Sequence, residues 1–149
     1  MKGERGMTMV ELVVAVAVTG IIVVFLGTAV YQIITVSASG NDRLIALHEL
    51  QNAARWFNSD GQQSVDAITG AGLSLTLSDN STVTYSLTGT ELRRAAGGPP
   101  MTLGRNITEA AFSFSDRIVT MSLVAAPASR YGVSESATYR VALRPEGGG

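Results

Sequence analysis

The sequence predicts an α+β chain: a long N-terminal helix, apolar enough in its first half to cross a membrane, packed through its second half on a mostly antiparallel β-sheet. Three observations carry this. Between Met7 and Val36 the only formally charged side chain is Glu11. Between Leu44 and Phe57 apolar residues recur at three- and four-residue spacing, the period of a helix face. From Leu73 onward the period shortens to two, the period of a strand.

The apolar segment comes first. Leu12 to Ile34 is interrupted only by Thr19, Gly20, Gly27, Thr28 and Gln32. As a helix it covers about 34 Å, the thickness of a bilayer's hydrocarbon core. A removable secretory signal is the competing reading, with Lys2 and Arg5 as its charged start and Ser37-Ala38-Ser39 as a small-residue cleavage site. Signal cores usually span about 7 to 15 apolar residues, so the length favours a retained span. Lys2 and Arg5 precede the span and Arg43 alone follows it closely, which places the N-terminus in the cytoplasm and the remainder outside.

Glu11 does not fit an ordinary anchor. An unpaired carboxylate in hydrocarbon costs on the order of a few kcal/mol, whereas at a helix N-terminus near the interface the helix dipole favours it.

Beyond the span, Leu44, Leu47, Leu50, Ala54 and Phe57 form one stripe, with Asp42, Glu49, Asn52 and Arg55 mainly off it. Ser59-Asp60-Gly61 is the expected stop, with glycine supplying the terminating conformation, so the helix should end near Asn58. Trp56 and Phe57 are expected to anchor it to the sheet. Leu73 to Leu77 alternates strictly, as do Val83, Tyr85 and Leu87 with their neighbours, and Ser78-Asp79-Asn80-Ser81 between them is a turn cluster. A short strand at Glu91 to Arg94 follows, and Gly97-Gly98-Pro99-Pro100 should be a loop. Ala111 to Ser115, Ile118 to Ala125 and Ala137 to Leu143 complete the strands, the first two joined tightly at Asp116-Arg117. Pro127 to Ser136 reads as a longer connection, and Pro145 to Gly149 as a tail.

Composition narrows the chemistry. A chain of 149 residues with net charge -1, no cysteine and one histidine has no disulfide scaffold, no thiolate metal site and no ready Ser-His-Asp triad. No phosphate loop, G-x-S-x-G turn or metal-spaced histidine pair occurs, so no enzyme activity, cofactor or metal is expected. Asp60 with Asp66, or Asp79 with Asn80, could flank a calcium ion, but no D-x-D-x-D-G loop is present and surface turns account for them better. His48 beside Glu49 should be solvated. Arg93, Arg94 and Arg105 could form a basic patch, but adjacent strand residues point to opposite faces, so Arg93 and Arg94 should not share a side and nucleic acid is not an expected partner.

The run Lys2-Gly3-Glu4-Arg5-Gly6-Met7-Thr8-Met9-Val10-Glu11-Leu12, followed by an apolar helix, resembles the prepilin leader and N-terminal segment of type IV pilins and type II secretion pseudopilins. The resemblance covers about the first thirty residues. It departs from the family at Met7, where phenylalanine is most common, and at Met9-Val10, where Leu-Ile is usual.

The resemblance implies a pilin-like fold and a chain in three parts: a leader at 1–6, a transmembrane and filament-core half-helix at 7–36, and an extracytoplasmic domain at 37–149. It implies that a prepilin peptidase cuts after Gly6, that Met7 becomes a methylated N-terminus, and that Glu11 is the family glutamate used in assembly. The partners implied are the peptidase, other pilin or pseudopilin subunits and an inner-membrane assembly platform. The absence of proline from the span and the short body lean towards a minor subunit. Two other readings remain open: a membrane-anchored adhesion or binding domain, and a DNA-uptake pseudopilin.

Overall fold

The computed structural model describes residues 8–128 and 132–145. Helix α1 occupies Met9–Gln63. Eight strands follow: β1 Ser64–Thr69, β2 Gly72–Leu77, β3 Thr82–Thr88, β4 Glu91–Ala96, β5 Met101–Gly104, β6 Ile107–Ser115, β7 Ile118–Ala125 and β8 Glu135–Ala142. The chain divides into two compact units, Met1–Ser39 and Gly40–Gly149.

In the first unit α1 stands alone. Every residue from Thr8 to Ile34 is exposed. The hydroxyls of Thr19, Thr28 and Thr35 each donate back to the carbonyl one turn earlier, of Ala15, Val24 and Tyr31, at 2.7, 2.9 and 2.9 Å. Those bonds satisfy the threonine hydroxyl donors on the apolar surface, which suits a helix in hydrocarbon. A Cβ at Gly20 or Gly27 would meet nothing within 4 Å among the described residues, so no contact among them requires glycine there.

The second unit is a helix on antiparallel sheets. β1 to β5 form a five-stranded meander in sequence order and β6 to β8 a three-stranded one. Both present alternate residues inward: Leu73, Leu75, Val83, Tyr85 and Leu92 from the larger sheet, Val119, Met121, Leu123 and Val141 from the smaller. The helix meets them with Ala46, Leu50, Ala53 and Phe57, all buried. Phe57 stands edge-on to Tyr85 with ring centroids 6.3 Å apart and planes at 83°.

Several expectations are corrected. The buried stripe keeps Leu50 and Phe57 as expected but takes Ala46 and Ala53 where Leu47 and Ala54 were read; those two are half-buried and Leu44 is 64% exposed. The larger Leu47 draws the eye, but alanine at Ala46 and Ala53 lets the sheets approach the helix axis. Trp56 is 37% exposed, so Phe57 alone is the core anchor.

Helix α1 also runs past the expected stop, and Gly61 lies within it, buried. A Cβ on Gly61 would overlap the side chain of Val141 in β8, so this glycine serves a close helix–strand approach rather than a terminating turn. β1 and β5 lie in segments to which the sequence reading assigns no element. β1 carries a register shift between Ser64 and Asp66 that breaks its alternation, and β5 is only 4 residues long. β4 extends to Ala96, beyond the expected Arg94. β6 starts at Ile107, earlier than Ala111, because a bulge between Ile107 and Glu109 hides its first residues from a period-two reading.

The turn at Asp116-Arg117 is as expected. Both residues have positive φ, 51° and 62°, as a two-residue hairpin of the favoured twist requires. The connection expected at Pro127 to Ser136 is shorter, since β8 opens at Glu135; residues 129–131 and 146–149 lie outside the described residues.

The Gly61–Val141 contact predicts a sensitivity at a site that sequence reading takes for a helix end. In a fragment spanning residues 40–149, Gly61→Ala should lower stability by about 1–3 kcal/mol through overpacking, measured as a lower urea midpoint at unchanged slope. Joint truncation with Val141→Ala should recover part of the loss.

Candidate functional site

The N-terminal end of α1 is built from a capping box, T-x-x-E at Thr8 to Glu11. The backbone amide of Leu12 donates to the carbonyl of Thr8 at 3.1 Å, so Thr8 is the residue that starts the helix. The Thr8 hydroxyl accepts from the Glu11 amide at 3.3 Å, and Glu11 Oε2 accepts from the Thr8 amide at 3.5 Å. Two otherwise orphaned amides are thereby satisfied, and the carboxylate is held at the positive end of the helix dipole. Sequence reading placed Glu11 at the helix start but missed its partner Thr8. Glu11 is exposed, and one of its oxygens makes no bond among the described residues, so the carboxylate remains able to take a cation from outside the chain. Gly6 and Met7, the expected cleavage and methylation positions, lie outside the described residues.

In the second unit the candidate cation ligands are dispersed. Asp60 is 3% exposed in the last turns of α1, not in a surface turn. Cross-strand partners Tyr85 of β3 and Arg94 of β4 converge on it. Arg94 donates from Nε to Oδ2 and from Nη2 to Oδ1, both at 2.7 Å, and the Tyr85 hydroxyl also donates to Oδ2. The Arg94 guanidinium lies 4.7 Å from the centre of the Trp56 ring, which explains a half-exposed tryptophan on the helix. A carboxylate so engaged is a clamp between helix and sheet rather than a metal ligand. Nothing in local sequence signals it, because the three residues are far apart in the chain and Asp60 follows a serine and precedes a glycine, as turn aspartates do.

Asp66 is exposed on β1. Asp79 accepts from the Ser81 amide at 2.9 Å and from its hydroxyl at 2.6 Å, which holds the Asp79 carboxyl below its usual range and fixes the β2–β3 turn, where Asn80 has φ 65°. Among the described residues no three His, Cys, Asp or Glu side chains come together. His48 is exposed, whereas its neighbour Glu49 accepts from the Asn106 amide at 3.0 Å and side chain at 2.8 Å. Asn52 donates to the Leu103 carbonyl at 2.8 Å, so Asn52 fastens β5, and Glu49 the β5–β6 connection, to α1. Arg93 pairs with Glu91 at 2.7 Å and Arg94 with Asp60; as strand alternation requires, the two arginines part company, and Arg105 stays exposed.

The clamp predicts an alkaline dependence of stability. Burial, reinforced by the Asp60 hydrogen bond and charge, raises the Tyr85 hydroxyl well above its ordinary value. A phenol whose pKa is raised in the folded state contributes its full stability below the unfolded pKa of about 10 and loses it as pH rises beyond that value. Melting midpoints of the 40–149 fragment should therefore fall above pH about 10, and Tyr85→Phe should flatten that slope, leaving the smaller one due to Tyr139, which burial also raises. Removing the cation instead, by Arg94→Leu, strands a buried carboxylate and should cost about 3–5 kcal/mol at neutral pH.

Comparison with known families adds one finding at the capped end of α1. The model of the prokaryotic N-terminal methylation motif matches residues 1–27. Searches of curated proteins and of solved structures return no significant match. The matched segment contains the capping box, Glu11 and most of the exposed apolar helix, and on an α+β, pilin-like fold it is the N-terminal methylation motif characteristic of type IV pilins and pseudopilins.

Proposed function

We propose that the chain is a structural subunit of a type IV pilus or type II secretion pseudopilus, with no catalytic step of its own. The observation that carries the reading is a methylation motif laid over a wholly exposed apolar helix that opens on Glu11. Prepilin peptidase cuts after Gly6 and the new amine at Met7 is methylated. Before assembly the apolar half-helix lies in the cytoplasmic membrane as a single pass, N-terminus inside and body outside; it then moves into the filament core. A minor rather than a major subunit fits the short body and the proline-free span.

The physics of Glu11 gives assembly a mechanism. A carboxylate leaving the interface for a helical core recovers its desolvation cost only by meeting a cation. The Thr8 bonds satisfy part of its capacity but leave its charge. Within one chain the amine of Met7 is four residues from Glu11 along the sequence; between packed subunits the carboxylate of one reaches the amine of the next, and that contact sets register.

Two outcomes follow. Intact-mass analysis of the chain isolated from its own membranes should give residues 7–149 plus one methyl group; a chain beginning near Gly40 would identify a cleaved secretory signal instead. Glu11→Ala should leave membrane insertion and the melting of the body unchanged while reducing co-isolation with other pilin subunits by about tenfold or more, the scale of a lost desolvated ion pair. Unchanged co-isolation would assign Glu11 to helix capping alone.

A further inference from the structure

Two stretches of α1 are rich in weak helix formers: Ser37-Ala38-Ser39-Gly40-Asn41-Asp42 and Asn58-Ser59-Asp60-Gly61. Serine, asparagine and aspartate offer the backbone competing hydrogen bonds, and glycine loses the most conformational freedom in a helix. The fold supports the two stretches unequally. In the second, Asp60 and Gly61 are buried, Asp60 is bonded to Tyr85 and Arg94, and Gly61 lies against Val141. In the first no residue is buried, and a Cβ on Gly40 would meet nothing within 4 Å among the described residues. Its one side-chain hydrogen bond among them runs from the Ser39 hydroxyl back to the Val36 carbonyl at 3.1 Å, a contact that loosens a helix rather than bracing it. The first ion pair from α1 to a strand among the described residues comes after this stretch, Arg43 to Glu135 at 2.7 Å, and its arginine side chain is 64% exposed, so it holds weakly. The division into two compact units falls inside the stretch, between Ser39 and Gly40.

From these observations we infer that residues 37–42 are a joint, a segment where α1 opens and recloses so that the body tilts against the apolar half-helix while both stay folded. The inference rests on the membrane reading above. In hydrocarbon every backbone amide and carbonyl must bond within the helix, which keeps the chain helical to the end of the apolar segment at Ile34 whatever its residues prefer. From Ala46, the first buried residue of α1, packing on the strands does the same. Residues 37–42 lie between these two supports. Water there can take over the backbone hydrogen bonds, so intrinsic propensity alone holds the helix, and this run is poor in it. Gly20 and Gly27 are not further joints, because they lie inside the part that lipid keeps helical. Such a joint lets a chain anchored in the bilayer present its body at the angle an assembly site requires, without withdrawing apolar side chains from lipid.

The test is a distance measurement, and a chain without cysteine accepts paired spin labels cleanly. Ile33→Cys with Gln51→Cys brackets the joint, and Leu44→Cys with Gln62→Cys brackets residues 58–61. All four positions are exposed, and the members of each pair stand 18 residues apart, about five turns and 27 Å in a straight helix. Double electron–electron resonance on the full chain, purified from its host's membranes into phospholipid vesicles, should give a 33–51 distance distribution about twofold or more wider than the 44–62 one. The combined change Ser37→Ala, Ser39→Ala, Gly40→Ala and Asn41→Ala should narrow the first to the width of the second and leave the second unchanged. None of the four residues is buried, and an unaltered melting midpoint will show that the body is intact. Equal widths in the chain carrying only the labels, or a 33–51 width indifferent to the alanines, would overturn the joint and leave the membrane reading standing. Cleavage near Gly40, which parts the two labels of the first pair, would overturn both.

Discussion

About eight turns of α1, from Met9 to Val36, present an apolar surface that nothing among the described residues covers. At about 25 cal/mol per Å² of apolar surface, exposing residues of this size to water is prohibitive, so the segment must reside in lipid or among other helices. Everything at that end of the molecule answers to this constraint. Threonine hydroxyls turn back onto the helix, formal charge is confined to Glu11, and Glu11 sits where the helix dipole and the Thr8 amide receive it. At an interface the helix dipole and the Thr8 amide lower the cost of the carboxylate, and in the proposed assembly that cost would become acute on entry into a packed core, where the carboxylate would demand a partner.

The body solves a different problem with the same helix type. Here one stripe must be covered by strands, and small residues set how closely they come. Ala46 and Ala53 admit the sheets, Gly61 admits Val141, and Leu50 and Phe57 fill the space between. Two polar fastenings fix the helix on its sheets: Glu49 and Asn52 hold the β5–β6 connection and β5, and Asp60 holds Tyr85 and Arg94. A buried ion pair contributes little net stability against an apolar alternative but penalises any sliding that would separate its members. The Asp60 clamp thus fixes register between helix and sheet, as Glu11 is proposed to do between subunits.

The sequence made legible what rests on period and on local chemistry. The apolar run, the β2–β3 and β6–β7 hairpins and the tight Asp116-Arg117 turn all follow from residues that are neighbours along the chain. What it concealed rests on residues that become neighbours only on folding. Gly61 reads as a helix end until Val141 is laid against it, and Asp60 reads as a turn residue until two strands bring Tyr85 and Arg94 to it. β1 and β6 were shortened or lost because bulges break the alternation that reveals a strand. At the N-terminus Glu11 stood out by its charge, while Thr8, whose hydroxyl completes the box, is silent without the geometry.

The central claim is that Glu11 meets the amine of a neighbouring chain, and one accident of composition makes it directly measurable. The only lysine is Lys2, so a chain cut after Gly6 carries no side-chain amine at all. A membrane-permeant carbodiimide, which joins a carboxylate to an amine without a spacer, can then link two copies of this chain only through an N-terminal amine. Applied to assembled material, it should yield a covalent dimer whose linked peptides join Glu11 of one chain to residue 7 of another. A link confined to Glu11 and Met7 of the same chain, or no link through Glu11 at all, would contradict the account.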